Sequence, residues 1–241
     1  MIEARHLTKR YRNTTAVDEV SFVVQPGRVT GFLGPNGAGK STVFKAIFGL
    51  LKLRSGRILL EGRDVTGATP RQLINAGVCY VPQGRNIFPQ LSVRHNIELG
   101  LVAAPRSADK SARVEAALDR FPVLRAKASR QASTLSGGEQ KQLEIARGLL
   151  LDPKLVLIDE PSIGLSPLMV QQTFDILKDL RARGVSVLMI EQNARSALEI
   201  SDYGLVLELG RTRIFDRAEK VLGDPRVAQL FLGGALEGDA A

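Results

Sequence analysis

The stretch Gly34-Pro35-Asn36-Gly37-Ala38-Gly39-Lys40-Ser41 fits the pattern GxxxxGK[ST]. It lies between an apolar run ending at Gly34 and a helical pattern opening near Lys40. This feature constrains the fold most, because a strand must deliver the backbone to such a loop and a helix must carry it away. The glycines let the backbone wrap an anion with several N–H groups pointing inward, and the helix turns its positive end to the same anion. Lys40 adds a point charge for the β- and γ-phosphates of a nucleoside triphosphate. Ser41 supplies a hard hydroxyl for Mg²⁺, and Thr42 can reach the α-phosphate. A dinucleotide-binding turn fits poorly: Gly34, Gly37 and Gly39 are spaced GxxGxG, not GxGxxG, and no acidic ribose clamp follows a second strand at the expected distance.

The bulk properties narrow the setting. A chain of 241 residues can bury a full core as one large domain or a domain with an inserted lobe. Its 33 Lys and Arg against 25 Asp and Glu give +8, which suits an anionic partner, although the charges are dispersed. With no Trp, few aromatics and no basic-aromatic interleaving, a nucleic-acid stacking platform is not expected. Cys79 is the only cysteine, in an apolar strand-like setting, so no intramolecular disulfide forms and a reducing compartment is favoured. Met1 to Arg12 lack the apolar core of a signal peptide. No run reaches the roughly 18 apolar residues of a membrane span, so the chain is expected to be cytoplasmic and soluble.

Along the chain, residues 16–24 and 28–33 read as strands separated by the Pro26-Gly27 turn, and a helix is expected from Lys40 to Gly49. Segments near 56–61 and 77–81 are again strand-like. Residues 86–151 change to a helical pattern broken at Pro89, Pro105 and Pro122, and read as a lobe inserted between core segments 1–85 and 152–241. The core resumes with the unbroken apolar run Leu155-Val156-Leu157-Ile158, suited to a strand covered on both faces. A helix with Val170, Phe174 and Leu177 on one face follows, then a strand from Val185 to Ile190, a short helix, and a hairpin over 203–215 around Gly210. The expected class is α/β with a mostly parallel sheet.

The strand at 155–158 ends in Asp159-Glu160, and a carboxylate pair at the carboxyl end of a buried strand suits a Mg²⁺-triphosphate site. Asp159 is expected to hold the metal, directly or through water. Glu160, one residue on, is placed to accept a proton from an attacking water, a contribution of about 100- to 10,000-fold in rate.

Leu135-Ser136-Gly137-Gly138-Glu139-Gln140 opens the helix containing Leu143, Ala146 and Leu150. A serine and two glycines at a helix start form a second anion site. Here the sequence resembles the ATP-binding-cassette (ABC) ATPases, whose LSGGQ-like signature lies just before the second carboxylate motif. The resemblance covers essentially the whole chain. It implies a RecA-like phosphate-loop core, an antiparallel β subdomain and a helical lobe, with ATP and Mg²⁺ as ligands. It further implies that Ser136, Gly137, Gly138 and Glu139 close on the γ-phosphate held by a facing subunit, sandwiching two ATPs in a head-to-tail dimer. Tyr11 matches the aromatic that stacks on adenine, and Gln83 the glutamine that touches Mg²⁺ and the attacking water. Ser162-Ile163-Gly164-Leu165-Ser166-Pro167 matches the loop that meets the opposite subunit.

One position departs from that pattern. The family usually has a histidine after the next strand, where this chain reads Ile190-Glu191-Gln192-Asn193. Gln192 can donate a hydrogen bond but cannot become cationic, which implies slower hydrolysis at this site than at a partner site. By sequence position neither His6 nor His95 can substitute; both are expected at the surface or in packing. Glu191-Gln192-Asn193-Ala194, Pro82 to Pro89 and the tail Val227 to Gly233 look like the smaller of two ATPase subunits in branched-chain amino-acid importers, whose close relatives power uptake of urea or short amides. That likeness implies a second, different ATPase subunit, though a homodimer stays open. It also implies membrane permease subunits, an extracytoplasmic solute-binding protein and a peripheral position on the inner face of the membrane. A non-transport ABC ATPase acting on DNA or ribosomes fits less well. Only 96 positions separate Lys40 from Ser136, too few for a long coiled coil, and there is one cassette. A nucleotide-binding regulator without turnover is opposed by Glu160 and left open by Gln192.

Overall fold

The computed structural model describes residues 1–103 and 109–232; Pro105 and Gly233 lie outside them. The elements run β1 (Ile2–Tyr11), β2 (Thr14–Val24), β3 (Val29–Leu33), α1 (Lys40–Ile47), β4 (Ser55–Leu60), β5 (Arg63–Asp64), α2 (Pro70–Asn75) and β6 (Val78–Val81). Then come α3 (Val93–Glu98), α4 (Lys110–Arg120), α5 (Pro122–Ala126) and α6 (Gly137–Leu149), all inside the interval 86–151. The chain returns through β7 (Leu155–Asp159), α7 (Pro167–Ala182), β8 (Ser186–Ile190), α8 (Ala194–Ile200), β9 (Tyr203–Glu208), β10 (Arg211–Arg217), α9 (Ala218–Leu222) and α10 (Pro225–Leu232).

Two sheets result. One is antiparallel in the order β2-β1-β4-β5; the other has the order β10-β9-β3-β8-β7-β6, in which β9 to β6 run parallel and only β10 is antiparallel. Every residue of β3, β7 and β8 is buried, as their continuous apolar runs require of strands covered on both faces. Alternation assigns the faces. Leu155 and Leu157 pack with Phe32, Phe44 and the antiparallel sheet, whereas Val156 and Ile158 pack toward α6, α7 and the other helices. The sequence pattern announces neither the two-residue β5 nor β1, where Glu3, Arg5, Lys9 and Arg10 interrupt the apolar positions; Ile2, Ala4 and Leu7 still bury completely.

Local chemistry sets the helix ends. The helix expected to Gly49 stops at Ile47 and is capped by Phe48, with Gly49 turning at φ +73°. Pro122 and Pro167 sit in the first turns of α5 and α7, where a missing N–H costs nothing. Cys79 is buried against α6, and burial pushes its thiol up to about 12, so it acts as a small apolar residue.

The turn before α3 hangs on one side chain. Asn96 is fully buried; its Oδ1 accepts from the Phe88 N–H at 2.8 Å, and its Nδ2 donates to the Phe88 carbonyl at 2.9 Å and the Ser92 carbonyl at 3.1 Å. Asn96→Ala orphans these buried backbone groups and is expected to cost about 1–3 kcal/mol. The shift in urea midpoint at constant slope measures it.

Candidate active site

The chemistry-bearing residues meet at the carboxyl ends of the parallel strands. The loop after β3 approaches its neighbours too closely for any side chain at two positions. A Cβ on Gly34 would lie 2.2 Å from the Leu207 carbonyl, and one on Gly39 would lie 2.4 Å from the Ala16 carbonyl, with φ +150° and +102° respectively. Gly39 caps α1 without a side-chain hydrogen bond, so no side chain competes for the first N–H groups of that helix. Lys40 Nζ curls back to donate to the Gly34 carbonyl at 2.6 Å and the Pro35 carbonyl at 3.0 Å. Burial lowers the ammonium's pKa, partly offset by Glu160 and Asp159.

Asp159 ends β7 in a buried position. Its Oδ2 accepts from the Tyr80 hydroxyl at 3.5 Å, and the neighbouring Ser41 hydroxyl favours the charged carboxylate. Desolvation and then the nearby Glu160 raise its pKa. Asp159 Oδ1 is buried with no hydrogen-bond partner. An orphaned carboxylate oxygen beside a serine hydroxyl is a pair of hard oxygen donors, the set that fits Mg²⁺, which binds through few protein ligands and keeps several waters.

Glu160 follows in a left-handed backbone conformation, φ 48°, a state that costs a non-glycine residue about 1–3 kcal/mol and is held here by its N–H donating to the Ile190 carbonyl at 2.9 Å. Both carboxylate oxygens are then clamped. Gln83 Nε2 donates to Oε2 at 2.6 Å, and Gln192 Nε2 donates to Oε1 at 3.1 Å. Three elements, β6, β7 and β8, thus deliver Gln83, Glu160 and Gln192 to one point.

The ABC transporter family model matches residues 17–163. The chain belongs to the ABC transporter family. BraG of Pseudomonas aeruginosa, a high-affinity branched-chain amino acid transport ATP-binding protein, is 37% identical over 97% of this chain and 100% of its own. The lipopolysaccharide export ATP-binding protein LptB of Acidithiobacillus ferridurans is 36% identical over 97% of both chains. Probable LivF of Archaeoglobus fulgidus is 35% identical over 97% of this chain and 99% of its own. A solved ABC-transporter cassette in its ADP conformation matches with TM-score 0.87 and 30% identity, over 97% of this chain and 98% of that one. The protein is an ATP-binding, ATP-hydrolysing ABC ATPase coupled to transport.

In this ABC ATPase the signature residues open α6. Ser136 caps the helix, its N–H donating to Glu139 Oε2 at 2.9 Å while its Oγ accepts from the Glu139 N–H at 3.4 Å, a closed capping box. Gly138 is needed for packing, since a Cβ there would meet Met169 Sδ of α7 at 2.2 Å. Tyr11 is exposed at the end of β1, with the Lys9 ammonium 5.1 Å from its ring centre. His6 is exposed in β1 and His95 lies on α3, so neither joins the carboxylates.

Three contributors escape a reading of motifs. Tyr80 braces Asp159 from β6. Glu191, almost fully buried, accepts from the Ser162 N–H at 2.9 Å and the Ser162 hydroxyl at 2.7 Å, tying the loop after Glu160 to the Gln192 turn. Glu144 of α6 accepts from the Asn86 N–H and pairs with Lys141 at 2.6 Å, while Arg147 donates to the Asn86 carbonyl; this fastens the segment after Gln83 to the signature helix. Acidic and basic side chains three apart on an otherwise buried helical stretch are the one sequence signal that could have marked Lys141 and Glu144.

Glu160→Gln should leave ATP binding intact and lower turnover at least about 100-fold, measured as nucleotide affinity against phosphate release. Glu191 supplies a pH prediction. Desolvation raises its pKa above the ordinary 4.5, against the bonds from Ser162 and Gln192. A carboxyl raised on folding stabilises fully below its unfolded value and loses that contribution as pH rises through the folded one. The unfolding free energy of the wild type relative to Glu191→Gln is therefore expected to fall as pH is taken upward from 4.5. Urea titrations at each pH check this; a flat difference would contradict it.

Proposed function

We propose that this chain is an ATPase subunit of an importer for branched-chain, hydrophobic amino acids, energising a separate permease by ATP-driven dimer closure. The observation that carries the enzymatic part is the Glu160 carboxylate, held on both oxygens by Gln83 and Gln192 next to a glycine loop shaped for phosphate. In this reading Lys40 exchanges its loop carbonyls for the β- and γ-phosphates. The backbone N–H groups of Gly37 to Thr42 cradle the chain of phosphates, and Tyr11 stacks on the base. Ser41, Asp159 and Gln83 would hold Mg²⁺, whose bound form neutralises phosphate charge. Glu160 takes the proton of the attacking water, with Gln83 and Gln192 fixing its orientation. Gln192 cannot itself carry a proton, which makes this the slower of two sites.

Ser136 to Glu139 meet the nucleotide of a second cassette, a different subunit in this reading. Closure does work because ATP binds the closed shape more tightly than the open one. Among the described residues no helix is long and apolar enough to cross a membrane, so the chain would sit peripherally on the inner face through its permease. The permease is assigned to the lobe near residues 84–100, and a groove of about 900 Å³ between α2, β6 and α6 supports that placement; Ile87, Phe88 and Val102 line it, with Arg71 and Arg147 as cations. The solute assignment rests on the relatives named for branched-chain transport and on Glu191-Gln192-Asn193 at the switch. The LptB relatives match over the same length, which keeps lipopolysaccharide export as the competing reading. Urea or short amides remain the alternative solutes for an importer.

Affinity capture from detergent-solubilised native membranes tests the assignment. The expected yield is two permease subunits and a second, histidine-containing cassette, and cells lacking this chain should lose uptake of labelled leucine. Recovery of lipopolysaccharide-export components, or of ribosomes, would overturn it. Phe88→Asp should bind ATP normally yet recover at least about tenfold less permease, since it puts a charge into an apolar contact.

A further inference from the structure

Where the signature pattern has a glutamine, this chain carries Glu139, and that carboxylate lies at the positive end of α6. An acid there stabilises the helix, yet it also competes with any anion arriving at the same N–H groups. The helix end carries only about half a positive charge, so one full negative charge leaves the site net repulsive to phosphate. The structure supplies a counter-charge. Lys127, at the end of α5, places its ammonium 2.6 Å from Glu139 Oε1, while Oε2 stays engaged with the Ser136 N–H. The backbone that carries Lys127 is anchored: its N–H donates to the carbonyl of Leu124, which is fully buried in the lobe. Burial alone would raise the Glu139 carboxyl, but Lys127 and Ser136 together hold it below the ordinary carboxylate value, so it is charged and needs the cation.

We propose that Lys127 is a positioning residue for ATP-driven closure: its ammonium cancels the charge of Glu139, so that the start of α6 can receive the γ-phosphate held by the facing subunit. This rests on the reading that α6 closes on a nucleotide in trans. The Lys127–Glu139 pair thereby does the work of the uncharged glutamine in the usual pattern, and the capping box survives either residue, since glutamine closes it as well as glutamate.

Net charge of the pair then predicts an ordered series. The test is the ATP dependence of hydrolysis by the detergent-purified membrane complex captured through a tag on this chain. Lys127→Met should raise half-saturating ATP about two- to fivefold with little change in the saturated rate, the size expected of one charge at a helix end. Glu139→Gln should lower half-saturating ATP. The double variant Lys127→Met/Glu139→Gln should return to the wild-type value, and Lys127→Arg should match the wild type. If the pair merely pins α5 to α6, both single variants and the double are impaired alike, and the proposal is overturned. It is equally overturned if Lys127→Met has the wild-type ATP dependence. Ser136→Arg separates the two levels of inference. If it leaves the ATP dependence unmoved, the in-trans reading itself fails; if it abolishes activity while Lys127→Met does nothing, only the role of Lys127 fails.

Discussion

Between Gly34 and Lys40 the backbone bends so tightly that the lysine ammonium reaches the carbonyls at the loop's own start, and the rest of the site is arranged around that curl. The bend exists because neighbouring backbone fills the space where side chains would stand: the Leu207 carbonyl from β9 and the Ala16 carbonyl from β2. Both sheets therefore hold the loop. The parallel sheet brings Asp159, Glu160 and Gln192 to the same edge, and the antiparallel sheet closes the loop from the other side. A buried ammonium satisfied only by carbonyls is poised to exchange them for phosphate, which offers the same lone pairs with full charge.

A second dependency runs from the carboxylate to the lobe. Gln83 touches Glu160, and three residues later Asn86 is gripped through its backbone by Glu144 and Arg147 of α6. The ion pair of Lys141 with Glu144 is nearly fully buried, and breaking one partner of such a pair costs far more than the pair contributes. It gives the loop and helix a fixed relationship. This segment also borders the groove between α2, β6 and α6, so the Glu160 carboxylate, the groove and the start of α6 form one connected structure.

The phosphate loop, the Asp159-Glu160 strand end and the signature turn were legible because each needs particular residue types at fixed spacing beside a recognisable strand or helix. The strands β3, β7 and β8 were legible because covering a strand on both faces demands an unbroken apolar run. β1 was obscured by its charged positions and by the register shifts after Ala4 and Leu7, which break the alternation a strand would show. Tyr80, Glu191 and Glu144 were invisible for a different reason. Their roles depend on partners 79, 29 and 58 positions away, and no local pattern records such pairings. The place of Gln192 was half legible: its chemistry follows from the residue type, but its bond to Glu160 needs β7 and β8 in register.

The missing side chain at Gly138 has a consequence for how two sites communicate. With Met169 seated against its backbone, the start of α6 cannot move independently of α7, whose N-terminus follows directly from the loop that Glu191 ties to the Gln192 turn. On the proposed reading, in which a facing cassette's nucleotide meets the start of α6, a pull there would be felt at this chain's own Gln192 turn. Such a mechanical linkage obeys thermodynamic reciprocity: whatever free energy the facing nucleotide imparts to this site, occupancy here returns to the other in equal measure. Two unequal cassettes joined in this way could differ in speed and still share a single coupling energy.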